Sequence, residues 1–149
     1  MILVRILKNI HLVATIIWVG AVYMGAFIDW PSARESMAKG KFPFKFIVGQ
    51  GTKVFYSVYT GIFLLWFSGI SLLIIKPIES KTQILMVAVK VFCLLIMTLF
   101  TLYGTVFTWP KLQLATNEEA FRIYKYYIIR AICTFVCGII ASLIGLNLF

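Results

Sequence analysis

One histidine and one lysine are the residues whose types and positions could support chemistry inside an apolar environment. His11 is the only histidine of the chain, and it stands within a long apolar stretch. Lys90 stands within a second such stretch, 79 residues later. A neutral imidazole nitrogen can bind a metal ion or a haem iron, and an ammonium can pair with a carboxylate such as a haem propionate. Ionisable residues within membrane helices are candidates for function.

Two further residues share helix faces with this pair. Trp18 follows His11 by two helical turns, and Met97 follows Lys90 at the same spacing. This spacing fits a pocket in which His11, Trp18, Lys90 and Met97 contact a cofactor, with His11 as the metal ligand, and it fits an inward-facing seam without a ligand equally well. Both ionisable residues also have structural interpretations. Lys90 can extend its ammonium to the membrane interface, and His11 can lie at that interface or donate a hydrogen bond to another helix.

The composition indicates that the stretches holding these residues cross a membrane. Of the 149 residues, 62% are hydrophobic and only 13% are charged, whereas about a quarter of the residues in a soluble domain are charged. Four apolar runs reach the roughly 20 residues that a spanning helix needs, and their continuity excludes the alternating strands of a barrel. We predict an all-α, integral membrane four-helix bundle in a single domain over residues 1–149, with helices at about residues 4–29, 45–76, 82–109 and 119–147.

A short pattern occurs twice and divides the chain into halves. Residues 25–31 and residues 104–110 share a Gly, a Trp and a Pro at matching positions. This internal repeat predicts two tandem helix pairs, and it places His11 and Lys90 at the same depth on parallel helices. Since Trp favours the membrane interface and Pro interrupts helices, we expect the Trp-Pro pair to end the first and third helices.

The net charge of +9 would suggest a nucleic-acid partner for a soluble protein. Here the basic residues lie almost entirely between the apolar runs, which favours the lipid bilayer as the partner and no nucleic acid. Eight Lys and Arg residues flank one side of the predicted bundle and four flank the other. By the positive-inside bias, both termini lie on the outer side of a multi-pass protein of the bacterial inner membrane.

The three cysteines suggest a different chemistry. Cys93, Cys133 and Cys137 all lie inside apolar runs without a CxxC pair, which predicts free, buried thiols. Thiolate and thioether groups bind Cu(I), so the cysteines and Met97 define an alternative function in copper or small-solute transport. The scarcity of polar groups leaves another alternative, a non-catalytic scaffold or accessory subunit of a membrane complex, or a homo-oligomer. No pair of catalytic groups assigns a reaction.

The first apolar stretch resembles two groups of membrane proteins. The pattern His11-x6-Trp18-x-Gly20 near the start of a four-helix chain is similar to that of copper-resistance D (CopD) type domains and of HemJ-type protoporphyrinogen oxidases. Lys90 in the third helix also resembles the HemJ pattern. The resemblance extends over essentially the whole chain and implies a b-type haem, or a related metal or porphyrin role, with His11 as the iron ligand. HemJ proteins carry an adjacent Pro-Arg pair after the first helix, which this chain lacks, so the oxidase reaction is not carried over.

Overall fold

The computed structural model describes residues 2–78 and 80–148. Helices account for nearly all of these residues, and no strand occurs among them, which confirms the all-α prediction. The elements are α1 (Ile2–Tyr23), α2 (Trp30–Ala38), α3 (Phe44–Ile75), α4 (Lys81–Tyr103), α5 (Trp109–Gln113) and α6 (Asn117–Leu148), with π-helical segments at Met24–Asp29 and Gly104–Thr108.

In the described part of the chain, four helical stretches are long and apolar enough to cross a membrane. We call them the first to fourth spans: Ile2–Ala38, Phe44–Ile75, Lys81–Gln113 and Asn117–Leu146. Large apolar side chains such as Ile16, Phe63 and Leu99 remain exposed on their outer faces. A surface of this kind suits lipid rather than water, because spanning helices satisfy their own backbone hydrogen bonds and present apolar side chains to the hydrocarbon. The fold is that of a multi-pass helical membrane protein.

The first span does not end at its Trp-Pro pair, so the expectation that Pro31 stops this helix is wrong. Proline lacks an N–H, and its ring clashes with the carbonyl four residues earlier in an α-helix. Here a π-helical turn comes directly before the pair, and the Trp30 N–H donates to the carbonyl of Gly25, five residues earlier. Because this turn is wider than an α-helical turn, the proline is accommodated and the helix continues to Ala38.

The third span has the same local structure. The Trp109 N–H donates to the carbonyl of Gly104 across a second π-helical turn. The helix then passes through Pro110 and ends at Gln113. The two segments that share sequence therefore also share an uncommon backbone conformation, since π-helical turns are rare.

Two apolar clusters fill the bundle along its length. α1 packs closely on α3, α4 on α6, and α1 on α6, while α3 and α4 meet through side chains such as the Trp66–Thr98 hydrogen bond of 3.2 Å. The cluster at the end that holds the α2–α3 and α5–α6 connections contains Ala33, Phe42, Ile47, Trp109, Leu112, Ala120, Tyr124 and Ile128. The cluster at the middle of the bundle contains Ala14, Trp18, Val58, Ile62, Leu65 and Met97.

Gly51 packs against the indole ring of Trp109, and a Cβ at this position would overlap the ring. Trp109 is only 6% exposed, so its ring has little space to move aside. We predict that Gly51→Ala lowers the free energy of unfolding by about 1–3 kcal/mol, the usual cost of overpacking a core. Thermal unfolding of the detergent-purified protein measures this change.

Gly49 provides a matched control, because it lies two residues away on the same helix and a Cβ there would meet nothing within 4 Å. In Gly49→Ala only the helix propensity changes, which favours alanine by up to about 1 kcal/mol. Equal unfolding midpoints for the two variants would contradict the packing argument.

Candidate ligand-binding cavity

A cavity of about 470 Å³ lies between all four spans at the end of the bundle that holds His11. Sites for small molecules and cofactors typically enclose about 300–1,000 Å³, with apolar walls and a few polar groups. Leucine, valine and isoleucine side chains form most of this wall. The polar side chains that line it are those of Lys8, His11, Thr15, Trp66, Lys90 and Ser142.

Three of the four residues predicted to bind a cofactor line this cavity. His11 comes from α1, and Lys90 and Met97 come from α4. Trp18 does not line it. Its side chain is 0% exposed and packs in the middle cluster together with Met97. Trp18 therefore packs beside Met97 at the inner end of the cavity and would not contact a ligand bound there.

A hydrogen bond joins the imidazole of His11 to Ser68 of α3. The imidazole Nδ1 lies 2.8 Å from the Ser68 hydroxyl oxygen, and that hydroxyl donates its only proton to the Leu64 carbonyl at 2.5 Å. With the hydroxyl proton on the Leu64 carbonyl, Nδ1 is the donor to Ser68 and the lone pair is on Nε2. His11 thus takes part in a helix-to-helix hydrogen bond through one ring nitrogen, and the second ring nitrogen is available.

The surroundings of the ring hold it in this orientation. Gly69 lies beside it, where a Cβ would be 3.5 Å from the His11 Cε1. Among the described residues, the Nε2 atom has no hydrogen-bond partner. Histidines that ligate metals commonly donate their other N–H to a fixed oxygen, which sets the ring orientation and increases the basicity of the ligating nitrogen. His11 and Ser68 reproduce this arrangement with a serine hydroxyl.

The side chain of Lys90 crosses the cavity toward the fourth span. Its Nζ lies 2.9 Å from the position that a Cβ on Gly145 would take, and its charge acts on the His11 imidazole. No carboxylate pairs with Lys90 among the residues that the structure describes. A cation without a counter-ion beside an apolar cavity is complementary to a ligand with an acidic group, because the ligand supplies both the charge and the hydrogen-bond acceptors.

The cysteines are separate from this cavity. All three are free thiols, as predicted, but only Cys93 is buried, while Cys137 is partly buried. The expectation of burial is wrong for Cys133, which is exposed on the apolar surface. Within residues 2–78 and 80–148, no three His, Cys, Asp or Glu side chains come together at one point. None of the cysteines lines the cavity.

Sequence reasoning did not identify Ser68 as a functional residue. A lone serine in an apolar helix ordinarily bonds to its own backbone, as Ser71 does with the Phe67 carbonyl. No local signal distinguishes Ser68 from Ser71. Only the register between α1 and α3 brings one of them to the histidine.

No family model, no curated protein and no solved structure matches this chain. The fold and the cavity define the class of protein, a multi-pass helical membrane bundle with a cavity between its spans that is lined by one histidine and two lysines, Lys8 and Lys90.

Proposed function

We propose that this protein binds haem b, or a closely related porphyrin, in the cavity, where the Nε2 atom of His11 would ligate the iron. The observation that carries the proposal is the 2.8 Å hydrogen bond between the Ser68 hydroxyl and His11 Nδ1, which fixes the ring and leaves Nε2 as the nitrogen available to a ligand. A porphyrin brings four nitrogen ligands of its own, so a single histidine is sufficient for the protein's share of the coordination.

Lys90 and Met97 complete the proposed site. The Lys90 ammonium supplies the charge that pairs with a propionate, and the Met97 side chain supplies apolar contact and a thioether near the inner end of the cavity. Both residues sit on α4, so this helix holds the ligand opposite the histidine of α1. Bound haem supplies one-electron redox chemistry, while the apolar wall excludes water and the two polar groups orient the ligand.

We include in this proposal the relationship to CopD-type and HemJ-type proteins and the internal repeat of two helix pairs. The matching hydrogen bonds from Trp30 to Gly25 and from Trp109 to Gly104 support the repeat, because the two π-helical turns fall at corresponding positions. We also propose that the cavity belongs to the outer leaflet of a bacterial inner membrane. The distribution of Lys and Arg between the two ends of the bundle supports this orientation.

A haem titration of the detergent-purified apoprotein tests the proposal. We expect a Soret band that is red-shifted from that of free haem and that saturates at a single haem per chain. Absorbance that rises without saturation would overturn the proposal and would favour the scaffold alternative, which predicts no cofactor. A metal content of copper in place of haem would favour the transport alternative.

Ser68→Ala tests the role of the histidine's hydrogen bond separately from the histidine itself. Loss of a group that orients a metal ligand typically costs about 10- to 100-fold in affinity. We expect the Soret band to persist in this variant and the dissociation constant for haem to rise about tenfold.

Ser71→Ala is the matched control, since Ser71 lies on the same helix and its hydroxyl bonds only to its own backbone in the described structure. Its haem affinity should equal that of the unmodified protein. Equal affinities in all three proteins would show that Ser68 does not position the ligand.

A further inference from the structure

We propose that a second, smaller cavity nearer the middle of the bundle binds one small monovalent inorganic anion of the size of chloride, held by Arg130 and Trp18. This cavity has a volume of about 50 Å³ and is bounded by residues of all four spans. It shares no lining residue with the larger cavity. An organic cofactor needs several hundred Å³, whereas this space suits a single small ion with a water molecule.

Arg130 brings a permanent positive charge to this cavity. Its Nη2 donates to the Thr108 hydroxyl at 2.7 Å, and its guanidinium lies 4.8 Å from the centre of the Tyr103 ring. Its Nε is buried and has no hydrogen-bond partner. No carboxylate pairs with it among the described residues. Because an arginine in a protein does not lose its proton, a group that balances its charge in this partly buried position lowers the free energy.

Trp18 contributes a second unpartnered donor from the opposite side of the bundle. Its side chain is 0% exposed, and its Nε1 is buried without a hydrogen-bond partner. An indole N–H can only donate, so it needs an acceptor, and a buried donor without one costs free energy. Trp18 and Arg130 line the same small cavity from α1 and α6.

The requirements of these two residues identify the ligand. Both need an acceptor, and Arg130 also needs a negative charge. A water molecule could accept both hydrogen bonds but would leave the guanidinium charge uncompensated in a low-dielectric interior. A small anion accepts both hydrogen bonds and balances the charge. The hydroxyls of Thr101 and Thr134, which also line the cavity, provide further donors.

Thermal unfolding in chloride tests the assignment. Sodium chloride is exchanged stepwise for sodium gluconate at constant ionic strength, since gluconate is too large for the cavity. We expect the unfolding midpoint to rise with chloride and to saturate. Arg130→Gln should abolish this rise. Trp18→Phe keeps an aromatic side chain but removes the N–H donor together with part of the indole, and it should raise the chloride concentration at half-saturation about tenfold or more, as expected for a lost hydrogen bond to a charged group.

Arg122→Gln is the matched control, because it removes the same charge from an exposed position on the same helix. It should leave the chloride response unchanged. If Arg130→Gln does not fold, Trp18→Phe provides the readout by itself. A midpoint that is the same in chloride and gluconate, or a chloride response that Arg130→Gln and Trp18→Phe both retain, would overturn the proposal and assign the cavity to water alone.

Discussion

Replacement of His11 by alanine should abolish the red-shifted Soret band that the purified protein acquires when haem is supplied. His11 is the only histidine of the chain, and the Ser68 hydrogen bond to Nδ1 leaves its Nε2 available as the ligand nitrogen. Alanine has no side-chain atom that could ligate the iron in place of the imidazole. Absorbance titration of the variant with haem measures the loss.

Added imidazole distinguishes a missing ligand from a misfolded bundle. In His11→Ala the added base can enter the space left by the side chain, and we expect it to restore a Soret band. Asn9→Ala is the control, because Asn9 lies on the same helix and is exposed. A Soret band that is unchanged in His11→Ala would overturn the assignment of the axial ligand.

Replacement of Lys90 by methionine should weaken haem binding about 10- to 100-fold, the usual contribution of a hydrogen bond to a charged group. Methionine retains much of the apolar stem and removes the ammonium that lies beside Gly145. The loss should be specific to ligands with free carboxylates. Titration with haem and with its dimethyl ester, in which the propionates carry no charge, measures the difference.

The ester gives this prediction its control. The unmodified protein and Lys90→Met should bind the dimethyl ester with equal affinity, since no charge pairs with the lysine. Lys81→Met removes an exposed ammonium at the start of the same helix and should leave both affinities unchanged. An equal loss for the acid and for the ester would mean that Lys90 acts through packing and not through its charge.

The spans could be predicted from the sequence because the length of an apolar run is a local property. The predicted helices agree with the second span, Phe44–Ile75, and with the start of the third at Lys81 to within a few residues. The prediction failed at Pro31 and at Pro110, because a proline normally interrupts a helix and both helices continue past their proline. Whether a π-helical turn forms before a proline depends on how neighbouring helices pack on the widened turn, and periodicity does not describe that packing.

The site was also predicted only in part, again because packing between helices is not encoded in the spacing along one helix. Helical spacing alone placed His11 with Trp18 on one face, and Lys90 with Met97 on another. It could not separate Met97, which lines the cavity, from Trp18, which lies beneath it. The rotation of each helix about its own axis makes that difference.

By itself, the sequence predicted an all-helical membrane bundle with His11 and Lys90 toward the same end of its helices. Only the tertiary structure decided that His11 meets Ser68, that Lys90 reaches toward Gly145, and that the buried donors of Trp18 and Arg130 line one small cavity. Each of these contacts joins residues on different helices. Such contacts depend on the relative height and rotation of the helices, whereas apolar length and a 3.6-residue period specify only each helix separately.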